Sequence, residues 1–345
     1  MPPSPEIRYA RGVFLPKAGI WLDPSGRKEF AFVSHAHMDH TGRHDRILCS
    51  PATARLTAGR TGLSPGRFQT ASFGQRTDFG SWHATLLPAG HVLGSAQLFV
   101  EIDQATVLYT GDFKMREALT CEPIEARKAE VLVMETTFGL PKYQFPPAGE
   151  TLARVINFCR EALEEGAVPI LLAYALGKAQ EIFAALEGAR LPVMLHGSVA
   201  KMVNIYREFG IVFPPFEPWE PRAAAGHVVI CPPGAAAARA VGAIRPRRVA
   251  ALTGWALDPG TVFRMRVDAA FPLSDHAGYD ELLEYVALVS PRRVFTLHGF
   301  AQEFARDLRA RGIEALALGA PNQMEWNFFP PPPCGHSRNG PEGNT

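Results

Sequence analysis

Apolar positions along this chain fall into two patterns, and one gives way to the other near residue 145. Up to about residue 140 short apolar runs alternate with loops. Residues 30–33 form one such run and end at a cluster of histidines. Residues 85–87 and 96–102 bracket a glycine-containing turn, as the arms of a hairpin do. Residues 105–109 and 130–134 read as two further strands, followed by the acidic residues Asp112 and Glu135.

Beyond residue 145 the period changes. Leu152, Val155, Ile156, Cys159 and Leu163 recur at helical spacing and predict a helix over 151–165. A strand at 168–173 and a helix at 177–186 follow, and the alternation recurs through 191–195, 200–209, 227–231, 234–244 and 248–252. Alternation at this pitch predicts parallel βαβ units. From residue 271 the chain returns to a loop, a helix (279–289), a strand (293–297) and a last helix (302–311). The Pro330–Pro333 run and its Gly-, Asn- and Ser-rich continuation predict a disordered tail at 329–345.

Composition narrows the class. At 345 residues the chain exceeds one ordinary core, so two domains, or one with an insertion, are expected. Hydrophobic content of 47% and charged content of 20% exclude a disordered or fibrous protein. The formal charge of +1 neither supports nor excludes a polyanionic partner, because basic groups can gather around one groove. Cys49, Cys121, Cys159, Cys231 and Cys334 are odd in number and form no Cys-x-x-Cys pair, which argues against a disulfide framework or a structural zinc knuckle. No basic segment followed by an apolar run opens the sequence, and no stretch approaches the roughly 20 apolar residues that span a bilayer. A cytoplasmic location with no membrane partner is expected.

The chemistry concentrates in His35-x-His37-x-Asp39-His40. Three imidazoles and a carboxylate this close are costly to place together unless a cation binds them, and their donor atoms suit zinc and manganese. In an extended segment His35 and His37 point the same way, and a turn would then let Asp39 and His40 face a second ion. An exposed histidine-rich loop is the plainer alternative. Against it stand three later segments: His91 between glycines in a turn, Asp112 just past a strand, and His298 at another strand end. Together these make seven candidate ligands, enough for two cations.

The series resembles the metallo-β-lactamase superfamily, and more closely its β-CASP nuclease branch. The resemblance spans residues 20 to 310. Met134-Glu135-Thr136-Thr137-Phe138, Leu273-Ser274-Asp275-His276-Ala277 and Leu297-His298-Gly299 are similar to the branch's own motifs, and the stretch from Leu172 to Glu181 to one of its inserted segments. The implied fold is α/β: an αββα sandwich built from residues 1–149 and 270–328, with a Rossmann-like β-CASP domain inserted at 150–269. The resemblance implies that His35, His37 and His91 hold one ion and that Asp39, His40 and His298 hold the other. Asp112 would bridge them, and Asp23 would buttress a histidine ligand; a surface-turn acid is the alternative for Asp23.

His276 is the candidate general acid for the leaving oxygen, with Glu135 orienting it and Asp39 also assigned to catalysis. Lys178, at a predicted helix start, could meet a phosphate; a solvated lysine is the alternative. His196 reads as structural or substrate-adjacent.

The wording of the motifs is most similar to that of the bacterial ligase-associated DNA exonucleases, β-CASP proteins associated with a DNA ligase and a helicase. The implied activity is a Zn2+- or Mn2+-dependent DNA exonuclease acting from 5′ ends of single-stranded or gapped DNA in repair. His298 departs from the Artemis-type pattern and keeps an RNA-processing nuclease open. A small-molecule hydrolase would have no use for the insertion or for Glu135 and His276. A non-catalytic subunit would not need every ligand position filled.

Overall fold

The computed structural model describes residues 5–236 and 239–319, so the tail expected at 329–345 lies outside the described residues. Three six- or seven-stranded sheets organise the described residues. The first takes its strands in chain order, Arg8–Tyr9, Val13–Leu15, Ile20–Leu22, Phe30–Phe32, Arg46–Cys49 and Phe68–Thr70. The second runs Glu314–Ala317, Arg293–Leu297, Val131–Glu135, Ala105–Tyr109, Ala96–Ile102, Trp82–Pro88 and Arg76–Asp78. Its first four strands are parallel and the rest antiparallel.

These two sheets face each other because their strands alternate in what they bury. Leu86, Leu98, Val100, Val107, Tyr109, Val131 and Val133 join Val13, Leu22, Phe32 and Leu48 of the first sheet in one core. The intervening residues Leu87, Phe99, Leu108, Leu132 and Met134 turn the other way, onto helices Tyr279–Val289 and Ala301–Ala310. A period of two places successive side chains on opposite faces, so both faces of the second sheet are apolar.

A helix, Pro51–Thr61, covers the outside of the first sheet, where the sequence predicts only strands and loops. Its inward face is Ala52, Thr53, Leu56 and Thr57, too small to give a strong apolar period. The ends define it instead: Ser50 accepts from the Thr53 N–H, Pro51 occupies the first turn, and Gly62 closes it.

The third sheet is wholly parallel, in the order Glu217–Pro218, Val193–Leu195, Val228–Cys231, Val168–Leu172, Arg247–Leu252 and Ala269–Phe271. Its central strands are buried from end to end, as parallel strands covered on both faces must be. Helices Ala148–Glu164, Lys178–Ala185 and Gly197–Glu208 pack on one face. That core continues into Ala36, Ala52, Leu56 and Leu93, so the insertion is joined to the sandwich through apolar contact. Among the described residues no helix is long and apolar enough to cross a membrane.

The hairpin turn that carries His91 is stitched to the helix at Pro51. The Gly94 carbonyl accepts from Ser50 Oγ at 2.6 Å and Thr53 Oγ1 at 2.8 Å. Gly94 has φ of 72°, and a Cβ there would lie 2.5 Å from Ala52 Cβ. Gly94→Ala should therefore cost more than about 1 kcal/mol. Urea unfolding checks this, and a wild-type midpoint contradicts it.

Candidate metal centre

Three parallel strands of the second sheet end at one edge. Beyond Ala105–Tyr109 comes Asp112, Glu135 closes Val131–Glu135, and His298 follows Arg293–Leu297. Chain ends at the carboxyl edge of parallel strands are rigidly held yet open to a ligand. The hairpin turn adds His91, and the loop after Phe30–Phe32 adds His35, His37 and His40.

The donor atoms converge in two adjoining groups that share Asp112. His35, His37, His91 and Asp112 each offer one atom within 4.8 Å of the others, as do His40, Asp112 and His298. His37 Nδ1 lies 3.0 Å from both His35 Nε2 and His91 Nε2. Asp112 Oδ2 is 3.6 Å from His35 Nε2, 3.3 Å from His40 Nε2 and 3.9 Å from His91 Nε2.

The outer ring nitrogens determine which way these imidazoles face. Ser34 Oγ–H donates to Asp23, so its oxygen accepts from His35 Nδ1–H at 2.9 Å. His37 Nε2–H donates to the Leu176 carbonyl at 3.1 Å, and His91 Nδ1–H to the Asp275 carbonyl at 2.8 Å. Each unprotonated nitrogen is thereby turned inward.

Burial, reinforced by neighbouring imidazoles, holds His35 and His91 well below the ordinary histidine pKa; burial lowers His37 as well. Three neutral rings with facing lone pairs repel one another unless a cation lies between them. Tetrahedral zinc with Zn–N of about 2.0–2.1 Å would set its nitrogens roughly 3.3 Å apart, close to the spacing here. The residues fit a divalent cation.

The second group differs in charge. His40 lies between two carboxylates, with Nδ1 2.9 Å from Asp23 Oδ2 and Nε2 facing Asp112. Burial opposes charge on His40, but Asp112 and then Asp23 outweigh it and raise its pKa well above the ordinary value. Asp23 also accepts from the Ser34 N–H at 2.7 Å and the Tyr109 hydroxyl at 2.9 Å. It is a buried anchor for a histidine, in contrast to a surface-turn acid.

The remaining expected residues are placed unequally. Glu135 is buried; its Oε1 accepts from His276 Nδ1–H at 2.8 Å and the Phe113 N–H at 3.1 Å, and its Oε2 from the Thr137 N–H. Asp39 sits at the rim, 77% exposed, with its carboxylate 3.7 Å from His40 Nε2, outside both convergent groups. Lys178 is not a solvated lysine: it is buried, 3.1 Å from Asp275 Oδ2. His196 caps the helix Gly197–Glu208 by accepting from the Ser198 N–H. The sequence reading missed Ser34, Tyr109 and the carbonyls of Leu176 and Asp275. The two carbonyls leave no residue-type signal; the hydroxyls lie next to His35 and three residues before Asp112.

Residues 263–318 match the family described as Zn-dependent metallo-hydrolase RNA specificity domain. A probable DNA ligase of Opitutus terrae is 46% identical over 95% of this chain, which spans 32% of that protein. An RNase J-like protein of Methanocaldococcus jannaschii is 29% identical over 51% of this chain and 49% of its own length. The transcription termination factor FttA of Thermococcus kodakarensis is 31% identical over 60% of this chain and 36% of its own. In fold, the chain is similar to the crystal structure of a protein of unknown function from Enterococcus faecalis V583. There the TM-score is 0.61, with 15% identity over 85% of this chain and 80% of that one.

The chain thus joins a two-sheet α/β sandwich, with histidines and aspartates converging at its edge, to a C-terminal match with a Zn-dependent metallo-hydrolase domain family. By these matches the chain is similar to β-CASP nucleases, and it spans a third to a half of the length of these relatives.

Asp23→Asn should weaken cation retention about 10–100-fold, because it loosens the partner that orients His40. Competition with a chromophoric chelator measures this; unchanged retention would remove Asp23 from the site.

Proposed function

We propose that this chain is a two-cation phosphodiesterase that degrades DNA from an end, with a 5′ preference on single-stranded or gapped substrates. One observation carries the reading: two donor groups share Asp112, and a glutamate-held histidine, His276, stands 4.0 Å from that same carboxylate. His35, His37, His91 and Asp112 would hold one ion, and His40, Asp112 and His298 the other, with Asp39 reaching in from the rim. Zn2+ or Mn2+ suits these donors. Bound there, the cations would supply Lewis acidity toward water and toward the phosphate oxygens.

The chain's own residues supply the rest. Glu135 takes the Nδ1–H of His276, which leaves Nε2 to carry the proton for the departing oxygen. Burial disfavours the charged ring, but Glu135 and then Asp112 raise its pKa to about 9. An acid of that strength stays protonated at neutral pH. Asp23 and Ser34 keep His40 and His35 aimed inward.

For DNA and a role beside a ligase, the support is the relative named as a probable DNA ligase, of which this chain matches about a third. That name favours a ligase as partner and is silent on a helicase. A second reading, RNA processing, has its own support in His298, in the match to an RNA specificity domain, and in relatives named as RNases. Cleavage of end-labelled DNA and RNA of one sequence, with and without a 5′ phosphate and across zinc, manganese and magnesium, separates the two. Preferential loss of RNA would overturn the DNA reading.

Asp112→Ala and Asp39→Ala should each abolish cleavage while circular dichroism stays near wild type. Full activity in either refutes the mechanism. His276→Ala should lower kcat more than it raises KM. Activity that needs protonated His276 declines as pH rises through its pKa. Glu135→Gln removes the main raising partner, so the alkaline limb of kcat/KM should move to lower pH. A limb that stays in place removes His276 from the acid role.

A further inference from the structure

The segment Leu176-Gly177-Lys178-Ala179-Gln180-Glu181 belongs to the insertion, yet its first residues serve the neighbourhood of the three-histidine site. Three successive residues do this. The Leu176 carbonyl accepts from His37 Nε2–H at 3.1 Å. Gly177, at φ 88°, lies against Val92, the residue after His91; a Cβ there would come within 2.4 Å of Val92 Cγ1. Lys178 Nζ reaches Asp275 Oδ2 at 3.1 Å, and the carbonyl of that same Asp275 takes the Nδ1–H of His91 at 2.8 Å.

Within the insertion, Gln180 holds the turn by accepting from the Gly177 N–H at 2.7 Å and donating to the Ala175 carbonyl at 3.1 Å. Glu181 ties it to the sandwich by accepting from the Leu119 N–H and the Thr120 hydroxyl. Lys178 and Asp275 are both buried, where an ion pair is geometrically exacting and an unpaired member is costly.

We infer that the turn from Leu176 to Lys178 is a positioning element for the histidine triad, so that cation affinity at that site depends on the insertion being docked through Lys178 and Asp275. Two of the three imidazoles take their orientation from this contact: His37 directly, and His91 through the Asp275 peptide. The inference rests on the triad being a cation site but not on any substrate or activity. Lys178 is then a positioning residue, distinct from a phosphate ligand.

The test is titration of the metal-free full-length protein with Co2+, followed by its absorption spectrum and by chelator competition. Wild type should bind two ions; binding of none would overturn the metal centre itself. Lys178→Met should lower affinity for one ion about 10–100-fold and change its absorption bands, leaving the other ion at wild-type affinity. Lys178→Met combined with Asp275→Asn removes both members of the pair, with Lys114 keeping its charge beside it, and serves should the single variant fail to fold.

Arg55→Met is the control. It breaks the 2.7 Å pairs between Arg55 and Glu208, which join the same two parts of the molecule through exposed side chains. It should leave both affinities unchanged. Wild-type affinity at both sites in a folded Lys178 variant overturns the inference. So does an equal loss in Arg55→Met, which would assign the effect to docking in general.

Discussion

Imidazole nitrogens that face one another without a proton between them are the constraint on which the rest of the molecule depends. His37 Nδ1 stands 3.0 Å from two other ring nitrogens, and no arrangement of neutral rings alone makes that favourable. The fold holds them there through their outer nitrogens. A serine, two peptide carbonyls and a carboxylate each take one N–H, so rotating any ring away breaks a buried hydrogen bond. The neighbouring group has the opposite character: Asp112 and Asp23 flank His40 and favour its charged form.

Such placement needs a rigid frame. The second sheet is apolar on both faces, and its parallel strands run out toward one edge. Glu135 closes its strand opposite Leu297, the residue before His298, while Asp112 lies in the loop three residues past Tyr109. The hairpin turn with His91 is held by Ser95 Oγ, which accepts from the His91 and Val92 N–H groups, and by the hydrogen bonds from Ser50 and Thr53 to Gly94.

The insertion is part of this frame. Its apolar core runs into the sandwich through Leu56 and Leu93, and its turn at Leu176–Lys178 reaches the histidines. A domain that only covered a substrate cleft would not need a buried ion pair next to the ligands. The aromatic cluster of Phe138, Tyr143, Trp255 and Phe300 joins the two parts on the side near His276.

The sequence by itself determined the architecture of the chain and the chemistry of its donors. The short apolar runs marked the sandwich strands and the βαβ alternation marked the insertion, because burial on both sides of a sheet leaves a continuous apolar signature. The strands at 105–109 and 293–297 and the helix at 279–289 were legible to the residue. Helix Pro51–Thr61 was not, because small side chains bury little area and so write little pattern.

The histidines and aspartates were legible as candidate ligands because such residue types are costly to crowd together without a cation. What the tertiary structure alone decided was orientation. Which nitrogen of each ring faces inward depends on carbonyls at Leu176 and Asp275, and every residue carries a carbonyl, so no residue type announces it. The burial of Lys178 against Asp275 was equally hidden: they are far apart in sequence, and only the docking of one domain on the other brings their charges within reach.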